Sequence, residues 1–370
     1  MKKICIFHFS PLELYPPVMN MIMYLDKHLP ENYSIRVYSS YSKNKTKLFN
    51  TSGKRTRIYR YGKYQAKQSA AARYKLYISY NIRSFLNAWW WGQDSVLYYE
   101  TFSALPPFYL KKLKPATRLF IHYHEYVAPT EYDAIAMLKK IHRVEKRMYN
   151  QATWISHTNE QRLKLFMRDV GIDRTDELQV LPNFPPGEWR KDVVKEKMSN
   201  PIKIIYVGSI GLESLYIKEF AQWVEQQQGK VTWDVYSQQD TTELKVFLSG
   251  IDSRYIQVLG FVPYYDMPEL LRKYDLGVIL YKGLSENTVY SAPNKLFEYL
   301  TCGLDVWIPK EHLGALSYVQ TNSYPKVVAI SFSDLGGLDL CRLVSREQLP
   351  YVPSSYYYEE EYYRLKDLLL

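Results

Sequence analysis

The run Ser291-Ala292-Pro293-Asn294-Lys295-Leu296-Phe297-Glu298-Tyr299-Leu300-Thr301-Cys302-Gly303 joins helix-start and helix-stop residues to a cation and a carboxylate. Proline suits a first helical turn, where its missing N–H has no partner to lose. Glycine suits the residue past a helix end, because it tolerates positive φ. Such a helix opens with free N–H groups just after Ser291, with Asn294 and Lys295 in its first turn. Those groups, the helix dipole and a lysine form a cradle for a diphosphate. Glu298 stands further along, where a carboxylate can accept hydrogen bonds from sugar hydroxyls. The same residues also suit an ordinary amphipathic helix with a solvated Glu, so the surroundings must decide.

A second group is His122-Tyr123-His124-Glu125, which follows an apolar run. Alternation puts His122 and His124 on one face. His124 or Glu125 can bind sugar hydroxyls, orient an acceptor or, for Glu125, act as a base. A histidine satisfied by internal hydrogen bonds is the plainer reading of His122. Two histidines without further ligands do not make a metal site, and no Asp-x-Asp pattern offers a divalent ion a place beside phosphates. Tyr281 and Tyr290 flank the loop before Ser291. They suit stacking on a sugar or base, although chance placement is easy among 36 tyrosines.

The elements that must position these residues alternate. In the first half, strands are predicted at Ile4–Phe9, Ser34–Ser39, Arg57–Tyr61, Ser95–Tyr99, Arg118–Tyr123 and Thr153–His157. Helices are predicted at Pro17–Leu29, Ser69–Trp91, Tyr132–Tyr149 and Asn159–Asp169. Alternation restarts with strand Ile202–Val207, helix Tyr216–Gln227, strand Thr232–Tyr236, helix Thr241–Leu248 and strand Ile256–Leu259. Helix Asp266–Tyr274, strand Leu276–Leu280, helix Pro293–Thr301 and strand Val306–Ile308 complete it. Strand–helix alternation implies parallel sheets covered on both faces. The length, 370 residues, suits two domains. The expectation is an α/β protein with two Rossmann-like domains, 1–188 and 201–353, and a cleft between them. Residues 189–200 read as a charged linker, and 354–370 as a helix closing across the domains.

Hydrophobic content of 46% fits a globular chain, and three scattered cysteines offer neither a disulfide framework nor a metal spacing. No apolar run reaches the ~18 residues of a membrane span. The start, Met1–Phe7, is too short for a signal-peptide core and reads as a buried strand. Charge is uneven. Between Asn32 and Gln93 there are thirteen basic residues and no acidic one, which leaves 35 basic and 38 acidic elsewhere. The net +10 therefore comes from this segment, which ends in Trp89-Trp90-Trp91. Cations beside a tryptophan cluster suit an anionic membrane surface, with Lys54, Arg55, Arg57 and Trp90 as the candidate contacts. A solvated basic face with Trp in the core is the plainer alternative.

Five segments stand in a telling order: Leu181-Pro182-Asn183; Tyr206-Val207-Gly208-Ser209-Ile210; Leu259-Gly260-Phe261-Val262-Pro263 before a helix with Leu270-Leu271; Asp275-Leu276-Gly277-Val278; and Ser291 through Gly303. In this order they resemble the GT-B glycosyltransferases, in particular glycosyltransferase family 4 and its close relatives, over roughly Leu178 to Pro309. The resemblance implies a GT-B fold and a nucleotide-sugar donor held by Gly208, Ser209, Val262, Pro263, Tyr290, Ser291, Asn294, Lys295 and Glu298. Lys218 looks like the family's downstream lysine. Glu298 matches the second of the family's two glutamates, while Tyr290 stands where the first belongs and Glu286 is out of register.

The resemblance also implies retention of anomeric configuration, with no metal and no cofactor beyond the donor. The catalytic candidates are His124, Glu125 and Lys218. The expected activity is a hexosyltransferase-like one in cell-surface polysaccharide or glycolipid assembly, with a glycan or lipid-linked acceptor. The expected location is cytoplasmic, peripheral at the inner face of the cell membrane. Two other readings stay open. A GT-B nucleotide-sugar epimerase would need acid/base residues near the sugar. A nucleic-acid-binding protein would use the basic 32–93 segment, but no helix-turn-helix, zinc-finger or RNP-like signature accompanies it, and no nucleic-acid partner is expected.

Overall fold

A computed structural model describes residues 1–42, 48–64, 69–172, 176–190, 198–237, 242–251 and 254–370. Lys43, Lys45, Lys47 and Lys67 of the basic segment, most of the expected linker and Thr241 lie outside the described residues. The chain divides into two compact units, Met1–Asn183 with Glu359–Leu370, and Phe184–Tyr358.

The first unit runs β1 (Lys2–Phe7), α1 (Pro16–His28), β2 (Tyr33–Ser42), β3 (Thr56–Tyr64), α2 (Ala70–Trp91), β4 (Ser95–Tyr99), α3 (Leu105–Leu113) and β5 (Arg118–Tyr123). It continues with α4 (Pro129–Ala134), α5 (Ala136–Glu145), β6 (Trp154–His157), α6 (Glu160–Val170) and β7 (Leu178–Val180). The strands are short and rich in β-branched and aromatic residues, and all pair in parallel in the order β3-β2-β1-β4-β5-β6-β7. β4 is buried along its whole length, as a central parallel strand must be when helices cover both faces.

The expected helix Tyr132–Tyr149 is two helices, because Ile135 takes an extended conformation (φ −118°, ψ 106°) between α4 and α5. α3 escapes sequence reading because Pro106 and Pro107 crowd its first turn.

The second unit runs β8 (Ile202–Val207), α7 (Ile217–Gln226), β9 (Val231–Tyr236), α8 (Thr242–Ser249), β10 (Ile256–Leu259), α9 (Met267–Leu271) and β11 (Leu276–Val278). Then follow α10 (Glu286–Val289), α11 (Asn294–Thr301), β12 (Asp305–Pro309), β13 (Val327–Ile330) and α12 (Leu340–Val344). Its sheet is again parallel, in the order β10-β9-β8-β11-β12-β13. Phe220, Trp223 and Trp233 anchor its core. α13 (Tyr358–Leu369) ends the chain, and from Glu359 onward it belongs to the first unit.

In both sheets the strand order reverses once, between β1 and β4 and between β8 and β11. Loops leaving the carboxyl ends of such strands diverge to opposite faces and open a crevice, which is where parallel α/β sheets bind ligands. Among the described residues no helix is long and apolar enough to cross a membrane.

Candidate functional site

In the second unit the reversal point is built from two stitched loops. β8 ends in Gly208, whose N–H donates to the Tyr236 carbonyl at 3.0 Å, and the Tyr206 hydroxyl donates to the Ser209 carbonyl at 2.7 Å. The loop after β11 bonds back to this turn. Tyr216 N–H donates to the Leu280 carbonyl at 2.7 Å and Lys282 N–H to the Ser214 carbonyl at 3.0 Å.

α11 packs on β11 through one close approach. A Cβ on Gly277 would lie 2.2 Å from the Tyr299 ring, so only glycine lets the helix sit there. The Tyr299 hydroxyl in turn accepts the Val207 N–H at 3.1 Å. That bond ties α11 to the end of β8. Gly303 takes φ +83° just beyond the helix, as expected of a terminating glycine.

Pro293 precedes the helix rather than standing in its first turn. It is extended (φ −67°, ψ 144°) and provides no side-chain cap. The N–H groups of Asn294 and Lys295 have no acceptor among the described residues, so the helix start is open. Lys295 Nζ lies 2.7 Å from Glu298 Oε2, and the Glu298 side chain is only 2% exposed. Ser291 Oγ donates to the Thr288 carbonyl at 2.9 Å and meets His312 Nε2 at 3.1 Å. The Tyr281 ring stacks on His312 at 5.5 Å.

The first unit gathers a different set at the carboxyl ends of its strands. His8 follows β1, Glu100 follows β4, His122 is the last residue but one of β5 before His124 and Glu125, and His157 closes β6. His124 stacks on Tyr99 at 5.2 Å, 11° from parallel, and meets His122 edge-on at 4.7 Å. Burial pushes the His8 imidazolium down to about 3, His124 to about 4 and His157 to about 3. His122 is depressed as well, by the same burial. All four are neutral rings at pH 7. His122 Nδ1 meets Ser156 Oγ at 2.8 Å, and His124 Nδ1 meets Asn183 Oδ1 at 3.1 Å.

Glu100 has φ +63°, a strained backbone for a side chain of its size. It accepts the N–H of His124 at 2.6 Å and of Glu125 at 3.3 Å. Burial and the Glu125 charge push its carboxyl up to about 8. A cavity of about 240 Å³ lies alongside, walled by Tyr123, Tyr132 and Phe166 and lined by Glu125 and His157. Among the described residues neither His157 nitrogen has a hydrogen-bond partner, nor does His124 Nε2. Glu145 is a structural carboxylate, fully buried and capped by the hydroxyls of Tyr98, Thr101 and Tyr123 at 2.9, 2.8 and 2.6 Å. Among the described residues no three His, Cys, Asp or Glu side chains are placed to hold a metal ion.

No protein-family model matches the chain, and no curated protein matches it by sequence. Solved structures do match in fold. A lipopolysaccharide outer core galactosyltransferase, WaaB in its apo form, superposes with a TM-score of 0.65 at 13% identity over 100% of both chains. Anabaena HepE in complex with UDP and glucose gives 0.61 at 13% identity, over 93% of this chain and 89% of that one. A UDP-N-acetylglucosamine 2-epimerase gives 0.60 at 10% identity, over 100% of this chain and 96% of that one. The chain has the GT-B fold.

Within that fold, Gly208, Ser209, Ser291, Asn294, Lys295 and Glu298 share the reversal point of the second unit. Tyr290 follows α10 just before Ser291 and is half-buried. Val262 and Pro263 follow β10, the edge strand, two strands from β8. His124 and Glu125 belong to the first unit. Lys218 lies on the outside of α7, paired with exposed Glu213 at 2.7 Å, which raises its pKa.

A further lysine, Lys282, belongs to the loop after β11 that bonds back to Ser214. Its Nζ meets Glu219 at 2.8 Å and sits 5.4 Å above the Tyr216 ring. Sequence reading missed Lys282, Glu100 and His312. Glu100 stands directly after the apolar end of β4, and Lys282 follows the apolar Ile279-Leu280-Tyr281 past β11, which is a usable signal. His312 has none.

Of the expected membrane contacts, Lys54 and Arg57 are exposed, Arg55 donates to the Leu29 carbonyl, and Trp90 is 84% exposed.

Proposed function

We propose that this chain is a glycosyltransferase. It moves a hexose-like sugar from a nucleoside-diphosphate sugar to a glycan or lipid-linked acceptor, in cytoplasmic assembly of cell-surface polysaccharide or glycolipid. The observation that supports this best is the open start of α11 tied, through Tyr299 and Val207, to the glycine turn of β8. Free N–H groups, a helix dipole and two lysines within one crevice suit the charge that develops on a departing diphosphate.

On this reading the C1–O bond to the diphosphate breaks, and a C1–O bond to the acceptor hydroxyl forms on the same face. The acceptor proton passes to a diphosphate oxygen. Asn294 and Lys295 hold the phosphates, with Lys282 as the flanking cation. Glu298 receives sugar hydroxyls once Lys295 turns to phosphate. His124 and Glu125 orient the acceptor, and the aromatic walls of the adjoining cavity suit a sugar ring.

The deciding experiment is a thermal-shift screen against UDP-, GDP-, ADP-, CMP- and dTDP-sugars. One nucleotide series should raise the melting temperature, because a ligand of the native state stabilises it. No shift with any of them would remove the reading. Transfer should continue in excess EDTA. Activity that vanishes with chelator and returns with Mg²⁺ or Mn²⁺ would overturn the metal-free part.

The fold likeness to a 2-epimerase supports a second reading, a nucleotide-sugar epimerase. Donor incubated without acceptor separates the two: an epimerase inverts C2 of the donor, whereas a transferase leaves the sugar's configuration unchanged.

A further inference from the structure

α2 is apolar on two opposite faces. One face carries Leu76, Tyr77, Tyr80, Ser84 and Ala88, all buried, and packs into the core of the first unit. A helix at the surface of a soluble protein should turn polar residues outward on the other side. Here that side presents Tyr74, Ile78, Ile82, Leu86, Trp89 and Trp90 to solvent, with Tyr74 55%, Ile82 53% and Trp90 84% exposed. Steps of three, four and one keep these side chains in one broad stripe, running most of the ~33 Å that 22 residues of helix span. The stripe continues onto α3. Phe85 contacts Tyr109 at 6.2 Å, and Tyr109 and Leu113 are both exposed.

The charge on α2 has one sign. Its ionisable side chains other than tyrosine are Arg73, Lys75 and Arg83, and none of the three pairs with a carboxylate among the described residues. At the C-terminal end, Arg36 and Lys3 join them. The Arg36 guanidinium stands 4.5 Å from the centroid of a Trp91 ring and is held to Asn87 Oδ1 at 2.8 Å. Lys3, Arg36, Arg83, Trp90 and Trp91 line an open basic notch beside the stripe.

We propose that this face of α2, with the notch at its end, lies on an anionic lipid bilayer. Apolar side chains enter the acyl boundary, tryptophans sit at headgroup level, and the cations meet lipid phosphates. Each cation near such a surface adds to the attraction, and salt screens it. A second copy of this chain is the poorer occupant. Stacking two such faces would bring two acid-free basic segments together, and like charges repel. A bilayer of acidic lipid supplies the missing sign. The contact is carried by α2 and the notch, and Lys54, Arg55 and Arg57 are peripheral to it.

Co-sedimentation with vesicles of phosphatidylcholine, with and without phosphatidylglycerol, tests this. The wild type should bind phosphatidylglycerol vesicles, bind them less as salt rises, and bind pure phosphatidylcholine weakly. Ile82→Gln/Leu86→Gln/Trp90→Gln should lower partitioning tenfold or more. Lys75→Gln/Arg83→Gln should weaken it and flatten the salt dependence. Lys54→Gln/Arg57→Gln should change it less than about threefold. All substituted side chains are exposed, so unchanged urea midpoints are expected and confirm folding. Equal sedimentation of wild type and the triple variant overturns the proposal. So does a triple variant that only converts a dimer to a monomer in light scattering.

Discussion

At Glu298 a carboxylate that the sequence reads as an acceptor of sugar hydroxyls, or else as a solvated helix residue, is shut away beneath Lys295, 2.7 Å off. Such a pair persists because each ion offsets the other's desolvation. If a diphosphate draws Lys295 away, Glu298 is left with a hydrogen-bonding need that sugar hydroxyls can meet. Glu298→Gln should therefore weaken binding of the best nucleotide sugar by about 1 to 3 kcal/mol, the scale of a charged hydrogen bond. Calorimetry giving the wild-type affinity would dismiss that role.

Glu100 makes the sharper pH prediction. Its carboxyl ordinarily titrates at 4.5 and is pushed up to about 8 in the fold. Between those values the unfolded chain has released a proton that the native chain keeps, so this group's contribution to stability falls as pH rises. The limiting slope is about 1.4 kcal/mol per pH unit. Glu100→Gln keeps a carbonyl for the His124 and Glu125 N–H groups but has no proton to release. From pH 5 to pH 8 the variant should gain in urea midpoint relative to wild type. Parallel midpoints across that range would refute the shift. The neutral histidines act the other way. His8, His124 and His157 hold their protons off, so their contribution is present above about 6.5 and is lost as pH falls toward 3 to 4.

At the scale of elements, α11 is seated by a single vacancy, the missing side chain of Gly277. Gly277→Ala would put a methyl 2.2 Å from the Tyr299 ring. A buried aromatic on a packed sheet has little room to retreat. Overpacking of this kind costs about 1 to 3 kcal/mol, and it should also displace α11 from the end of β8. The expected result is a lower urea midpoint together with weaker nucleotide binding. A loss of stability with unchanged binding would separate α11 from the donor site.

Elements of this kind were partly legible in advance. β4, β5 and β10 begin and end where predicted: β4 and β5 because a buried parallel strand reads as a largely apolar run, and β10, an edge strand with Gln257 exposed, because its short β-branched and apolar run ends at Gly260. β13 was not legible, since four residues of Val-Val-Ala-Ile mark no boundary of their own. Neither was the break at Ile135, where neighbouring packing overrides a continuous helical pattern. The helix start after Ser291, with Asn294 and Lys295 in its first turn, was legible from helix-start chemistry. The burial of Glu298 was not, because it depends on what packs over α11. Lys282 was not legible, because spacing along the chain does not show that the loop after β11 bonds back to Ser214.

At the scale of the molecule, the chain leaves the first unit after Asn183 and returns to it at Glu359. α13 is therefore a piece of the first unit made last. Tyr362, Leu365 and Leu369 are buried in it, and Tyr362 stands edge-on to Tyr24 at 5.6 Å. Its carboxyl end is held by named donors. The Arg118 guanidinium reaches the carbonyls of Leu368 and Leu369 at 2.7 and 2.6 Å, and the Tyr33 hydroxyl donates to the Leu370 carbonyl at 2.9 Å. The last twelve residues thus stabilise the unit carrying α1, β1 and β5, although the preceding 175 residues build the other. Leu365→Ala should cost about 2 to 5 kcal/mol, as a cavity at a fully buried leucine does. The loss should be confined to one unit. Hydrogen exchange should quicken in α1, β1, β4 and β5 and stay at wild-type rates in β8 through β13. Equal acceleration in both sheets would mean that the two units unfold as one cooperative body, and that α13 serves the whole chain rather than its first unit.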